Sequence, residues 1–326
     1  MPTGMEWCTL PKKNLWKRIG FGRRSPLAEE VVRRSLSLVW HVSGGGFPEP
    51  LECPYLATVW DVQHRTHPFL PEMQEKGEWF HRESKTFRFL AQAAGIITGT
   101  EVGARELEKA YGIFPEKIMR FPHPTPTFFQ PAVWRLNHPS SPPYFLYPAN
   151  FWPHKNHATL VRALALLTES HQEARLIFTG QGKNLPFIQE LGRNLGVDKR
   201  LEFLGHVTDT RLRDLYDGAT ALVYASLSGP ENLPPLEAMA RGCPVLNSDF
   251  PGAREQLSGA AVFASPTDPE AWAGAMEEIL DSKKSSLRER LLQEGAQLIR
   301  TRTIGAYVEQ VLSWIESFRH VRGLWP

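Results

Sequence analysis

Cysteine is scarce in this chain, and what there is lies scattered. Cys8, Cys53 and Cys243 are odd in number, far apart and form no C-x-x-C pair. A disulfide framework or structural metal site is therefore not expected, and a reducing compartment is. No apolar run approaches the ~20 residues that cross a bilayer, and nothing near Met1 resembles the apolar region of a signal peptide. The expectation is a cytoplasmic protein. A surplus of one charge is also missing: 37 Lys and Arg stand against 35 Asp and Glu, and no basic run interleaved with aromatics follows the N-terminal segment. That argues against nucleic acid as a partner. What remains is an ordinary globular composition over 326 residues, 42% hydrophobic and 22% charged. One core rarely serves so long a chain, so two domains are expected.

Residues 1–35 read as a basic leader. Lys12, Lys13, Lys17, Arg18, Arg23, Arg24, Arg33 and Arg34 stand there with Leu15, Trp16, Ile19 and Phe21 among them. The mixture suits a segment seated on the anionic inner face of a membrane. It equally suits a solvated leader, because Gly20, Gly22 and Pro26 interrupt any long amphipathic helix.

Residues 36–121 form the first domain. Strands are expected at 37–42, 55–61, 95–100 and 117–121, with helices at 75–94 and 101–111. Gly44-Gly45-Gly46 after the opening strand could wrap a phosphate, though a glycine triplet with no helix start behind it is a weak signal. Residues 60–68, straight after a strand, hold Trp60, Asp61, His64 and His67. Working residues sit in such places in α/β proteins, and so do ordinary surface histidines. Residues 122–143 carry seven prolines (Pro122, Pro124, Pro126, Pro131, Pro139, Pro142 and Pro143) and read as the interdomain linker.

Residues 144–300 are far more regular. Strands at 144–147, 175–179, 201–204, 221–225, 244–247 and 261–264 alternate with helical patterns near 156–168, 184–196, 209–217, 233–241, 251–257 and 268–281. This alternation spells a parallel, doubly wound sheet. Residues 301–326 include Ile304, Val308, Val311, Leu312 and Ile315 at helical spacing. That helix either packs on its own domain or crosses back to the first.

The most informative stretch runs Gly229-Pro230-Glu231-Asn232-Leu233-Pro234-Pro235-Leu236-Glu237-Ala238. A strand precedes it and a helix follows. Pro234 and Pro235 fit only a first helical turn, whose N–H groups have no intrahelical partner anyway. The helix thus opens near Leu233, with its amides and positive dipole end aimed out of the sheet's C-terminal edge, where anionic ligands bind. Glu237, one turn inside, is badly placed for a phosphate. It fits either an ordinary partner of the helix dipole or an acceptor for the vicinal hydroxyls of a ribose. A second strand-to-helix corner runs Pro148-Ala149-Asn150-Phe151-Trp152-Pro153-His154-Lys155-Asn156-His157. Lys155 there is a solvated surface lysine or, beside unpaired amides, a point charge suited to a diphosphate. Two such corners on one sheet favour a nucleotide.

These two corners, together with Gly205-His206-Val207, Gly242-Cys243-Pro244-Val245 and Ser265-Pro266-Thr267-Asp268-Pro269, resemble the retaining nucleotide-sugar glycosyltransferases of family 4. The resemblance is dense over 144–281 and looser over 55–121. It implies the GT-B fold, two Rossmann-like domains facing across a cleft, here with a shortened N-terminal domain. It further implies a hexosyltransferase of polysaccharide biosynthesis, moving sugar from a nucleoside diphosphate to a glycan or lipid-linked acceptor. Lys155 matches the family's diphosphate-binding lysine and Glu237 its ribose-binding glutamate. The backbone amides of Asn232 and Leu233 match those touching phosphate and donor sugar. A lysine plus a helix N-terminus can stabilise the departing diphosphate without a metal; no D-x-D triplet is present, and no cofactor is implied.

Departures from the family pattern are also visible. Its second glutamate falls at Gly229, with Glu231 two residues away as a substitute. Its diphosphate-binding arginine falls at Asn150, and its first-domain histidine at Trp60, with His64 close by. The candidates for catalysis are therefore Lys155, Glu231, Asp61 and His64. The first domain is short enough that a partner chain could complete it. Two rival readings remain: a non-catalytic relative acting as a partner subunit, and a sugar-nucleotide epimerase on the same fold.

Overall fold

The computed structural model describes residues 25–43, 51–129, 139–281 and 285–318. Most of the basic leader, the Gly44-Gly45-Gly46 stretch, the middle of the Pro-rich linker and residues 319–326 lie outside the described residues.

The end of the basic leader forms α1 (Pro26–Arg33), capped by the Ser25 hydroxyl, and the first domain follows with β1 (Val39–His41) and β2 (Tyr55–Thr58). After these come α2 (Gln63–Thr66), α3 (Pro71–Gln74), α4 (Glu78–Gln92), β3 (Gly95–Thr98), α5 (Glu101–Tyr111) and β4 (Ile118–Arg120). The strands pair in parallel in the order β1-β2-β3-β4. β2 and β3 are buried on both faces, as their unbroken apolar runs require. Tyr55, Ala57 and Ile96 face Phe89 and Leu90 of α4 and Ala104 and Leu107 of α5. Leu56 and Ile97, one residue out of phase, point the other way.

That second face is covered by the end of the chain. α13 (Ile304–Ser317), capped by the Thr303 hydroxyl, lays Val311 and Trp314 against Leu56 and Ile97. Gly95 makes the contact possible: a Cβ there would sit 2.2 Å from Cη2 of Trp314. The C-terminal helix thus returns to the first domain.

The second domain contains β5 (Tyr144–Pro148), α6 (His157–Leu166), β6 (Arg175–Thr179), α7 (Leu185–Asn194), β7 (Leu201–Phe203) and α8 (Asp209–Gly218). It continues with β8 (Ala221–Tyr224), α9 (Leu233–Ala240), β9 (Val245–Ser248), α10 (Pro251–Leu257), β10 (Val262–Ala264), α11 (Pro269–Leu280) and α12 (Ser285–Thr301). Its parallel sheet has the order β10-β9-β8-β5-β6-β7. The strand order reverses between β5 and β8, so a crevice opens at their C-terminal ends. Both corners singled out in the sequence leave the sheet there.

The structure adds detail that periodicity did not carry. Lys76 and Gly77 adopt left-handed backbone, so α4 starts at Glu78 and not at residue 75. The polar segment after β2 contains the short α2, and helix α12 fills the end of the second domain, where no helix is expected from the sequence, with Gly295 against Met239 of α9.

Candidate active site

The corner after β5 is a single tight turn, Pro153–Lys155, closed by Asn156 in left-handed backbone with φ 55. Asparagine tolerates that conformation, and its side chain fixes the turn by donating to the carbonyls of Ala225 (3.2 Å) and Pro266 (2.6 Å). The buried Tyr147 hydroxyl donates to the Lys155 carbonyl at 2.6 Å, and Leu227 N donates to the His154 carbonyl at 2.7 Å. The turn is thereby held from β5, β8 and the loop beyond β10.

Lys155 projects over the switch point. Its Nζ donates to the Tyr224 hydroxyl at 2.9 Å and lies 5.3 Å from the ring centre. The Tyr224 hydroxyl, at the end of β8, donates in turn to Asn232 Oδ1 at 2.9 Å, and Asn232 Nδ2 donates to the Gly229 carbonyl at 3.2 Å. One line of hydrogen bonds therefore joins the two corners across the crevice.

Asn232 precedes the first residue of α9, with Pro234 and Pro235 in the opening turn. Its peptide is gripped by the buried Gln256 of α10: Asn232 N donates to Gln256 Oε1 (3.0 Å), and Gln256 Nε2 donates to the Asn232 carbonyl (2.8 Å). The Asn232 amide is thus engaged inside the protein, while Leu233, exposed at the helix start, carries the N–H of the first turn, since Pro234 and Pro235 have none. Glu237 is half-buried one turn on, and Tyr216 OH donates to its Oε2 at 2.9 Å. Burial pushes the Glu237 carboxyl up to about 7, against the opposing pull of the Tyr216 hydrogen bond. Gly229, where the family pattern has a glutamate, has φ 116, a conformation that disfavours any side chain.

Glu231 does not lie along this line. Its side chain is 2% exposed and sits where the two domains meet, accepting from His123 N at 2.9 Å and from Arg302 Nη1 at 3.4 Å. Asn150 is exposed, and its Oδ1 accepts from Gln181 N at 3.0 Å, holding the loop after β6.

In the first domain, Asp61 is exposed and its Oδ1 accepts from Gln63 N at 2.9 Å. It lines a cleft of about 380 Å³ with Trp60, His64, His81, Arg82 and Lys85. His64 forms part of the inner wall; its Nε2 meets the Tyr111 hydroxyl at 2.9 Å and Glu83 Oε2 at 3.2 Å. Burial lowers its pKa, partly offset by Glu83. Nearby Glu106 is pushed up to about 7 by burial, with the charge of Asp61 adding to the effect.

Further contacts link the domains at the same crevice. Gln63 Nε2 donates to Ser228 Oγ, in the loop before α9. Glu72 Oε1 accepts from the His154 backbone N at 3.2 Å and meets its ring Nδ1 at 2.5 Å, beside Lys155. Glu255 of α10 accepts from Val102 N, at the start of α5, at 3.0 Å. Sequence reading missed Gln63, Glu72, Tyr224 and Gln256. Two of these carried a local signal: Tyr224 stands at the C-terminal end of a buried strand, and Gln63 lies in the polar stretch straight after one.

The two facing parallel α/β units, with a crevice at the switch point of the second, define the GT-B architecture of nucleotide-sugar transferases. Residues 129–298, just over half of the chain, match the sequence profile of glycosyl transferases group 1, and the chain belongs to that family. It is 32% identical over 136 residues to the O-antigen chain mannosyltransferase RfbU of Salmonella typhimurium, a match covering 42% of this chain and 38% of that protein. The chain thus spans well under half the length of that relative. Among solved structures, sucrose-phosphate synthase from Thermosynechococcus elongatus superposes with a TM-score of 0.73 at 17% identity, over 96% of this chain and 81% of the other. Anabaena HepE in complex with UDP-glucose superposes with a TM-score of 0.68 at 15% identity, over 90% and 82% respectively.

Proposed function

We propose that this chain transfers a hexosyl group from a nucleoside diphosphate sugar to a hydroxyl of a glycan or lipid-linked acceptor, with retention of configuration and without a metal. The observation that carries the reading is the hydrogen-bonded line from Lys155 through Tyr224 to Asn232, spanning the switch point beside the start of α9. The diphosphate lies against the Lys155 ammonium and the positive N-terminal end of α9, where Leu233 supplies the first-turn N–H and Pro234 and Pro235 have none, two fixed sources of positive potential. Glu237 accepts from the ribose hydroxyls through the oxygen that Tyr216 leaves available. As the bond between C1 of the sugar and the phosphate oxygen breaks, Lys155 and the helix end stabilise the developing negative charge. The acceptor oxygen bonds to C1 on the same face, and its proton passes to the departing phosphate. Asp61, at the mouth of the first-domain cleft, stands on the acceptor side. The mannosyltransferase named among the relatives favours mannose as the first hexose to try.

The test is to incubate the purified protein with a panel of UDP-, GDP-, ADP- and TDP-hexoses and mixed glycan and polyprenyl-phosphate acceptors, with and without EDTA. The expected result is acceptor-dependent release of one nucleoside diphosphate, unaffected by EDTA, in a product keeping the donor's anomeric configuration by NMR. Donor epimerisation without acceptor, or an inverted product, overturns it.

A further inference from the structure

A buried carboxylate two residues from the vacant family position invites the assumption that it replaces the sugar-binding glutamate. The packing around Glu231 leads elsewhere. Its Oε1 accepts from His123 N (2.9 Å) and Arg302 Nη1 (3.4 Å), and its Oε2 is buried 3.5 Å from His123 Nε2. A Cβ on Gly99, just past β3, would fall 1.4 Å from that Oε2, so the first domain leaves a glycine-sized seat for it. His123 leaves the first domain, and Arg302 lies where the chain returns to it; Thr125 N donates to the Arg302 carbonyl at 2.8 Å, tying the two crossings together. The Trp60 ring packs on the buried His123 with ring centres 4.1 Å apart.

We infer that Glu231 is a positioning residue of the domain joint: seated under Gly99 and held by His123 and Arg302, it fixes the loop carrying Asn232 to the first domain and keeps the cleft closed. The inference rests on the proposed donor site for its catalytic consequence and stands on geometry alone for its mechanical one. Asn232 is then gripped from both sides, by Gln256 within its own domain and by Glu231 through the joint. Burial pushes the Glu231 carboxyl up to about 7, opposed by the His123 amide and Arg302 and helped by the charge of Glu255. A group so near neutrality is well imitated by glutamine, which offers the same acceptor to His123 N.

The experiment compares the full chain with E231A, E231Q and G99A by small-angle scattering, by calorimetric titration with nucleoside diphosphate, and by turnover. E231A and G99A are expected to enlarge the radius of gyration and lower kcat about tenfold or more, by depopulating the closed state. Affinity for the nucleoside diphosphate should stay within about twofold, because its contacts lie in the second domain. E231Q should recover towards wild type in all of these. An unchanged radius of gyration in both E231A and G99A overturns the inference. So does an E231A variant that binds nucleoside diphosphate normally but loses affinity for the sugar nucleotide, which would place the carboxylate on the sugar. If E231A does not fold, G99A decides alone, since it displaces the carboxylate from outside. Absence of nucleotide binding by wild type would refute the donor site while the scattering still decides the joint.

Discussion

The Lys155 ammonium donates to the Tyr224 hydroxyl at 2.9 Å, and that hydroxyl donates onward to Asn232. Lys155 is thereby held over the crevice and not left to sample solvent. Tyr224→Phe removes both bonds with little change in packing. Nucleotide affinity is expected to fall about fivefold, the ~1 kcal/mol of an ordinary hydrogen bond, with Tm nearly unchanged. Isothermal titration checks this; an unaltered affinity would show that the line of hydrogen bonds is incidental.

Glu237 ties binding and stability to pH. The folded state holds its proton up to about 7, against 4.5 for an unperturbed carboxyl. Its contribution to stability is full below about pH 4.5 and is lost as pH rises through about 7. In the proposed donor site the ribose hydroxyls donate best to the ionised form, so nucleotide affinity is expected to rise with pH across the same upper limit. Glu237→Gln is expected to flatten both dependences, read by thermal melts and titrations from pH 5 to 8.

Restoring the family's glutamate should not help. Gly229 has φ 116, and a Cβ there would meet the Asn232 side chain at 3.1 Å. Gly229→Glu is expected to cost about 1–3 kcal/mol of stability through backbone strain and to weaken nucleotide binding by displacing Asn232. A gain in donor affinity would mean that the loop adopts the family conformation after all.

At the far end of the chain, Gly95→Ala drives a methyl into the Trp314 ring. Overpacking of this kind costs about 1–3 kcal/mol, and it should loosen α13 from the first sheet. Chemical denaturation and the shift of Trp emission report both effects.

How much of this was legible in the sequence depends on whether the signal was local. The second domain's alternation of strand and helix and the proline-marked start of α9 act over a few residues, and the corners fell where expected. Glu231, by contrast, sits in the same stretch as Asn232, but its direction is set by Gly99, His123 and Arg302. These are far away in sequence and come together only when the chain has crossed between domains twice. His64 looked like an open loop residue because a four-residue helix leaves too little periodicity to read; α2 instead turns its ring towards Glu83 and Tyr111. The C-terminal helix was legible as a helix, but its address was not. Its apolar stripe suits either domain, and only the room above Gly95 selects the first.

The most direct test is calorimetric titration of the purified protein with UDP, GDP, ADP and TDP, with Lys155→Ala and Glu237→Ala run alongside. Saturable binding of one nucleotide is predicted, weakened about 10- to 100-fold by Lys155→Ala, as expected for a charged hydrogen-bond donor, and also clearly weakened by Glu237→Ala. No saturable binding by the folded wild-type protein, or binding indifferent to both substitutions, would contradict a donor site at the β5–β8 crevice.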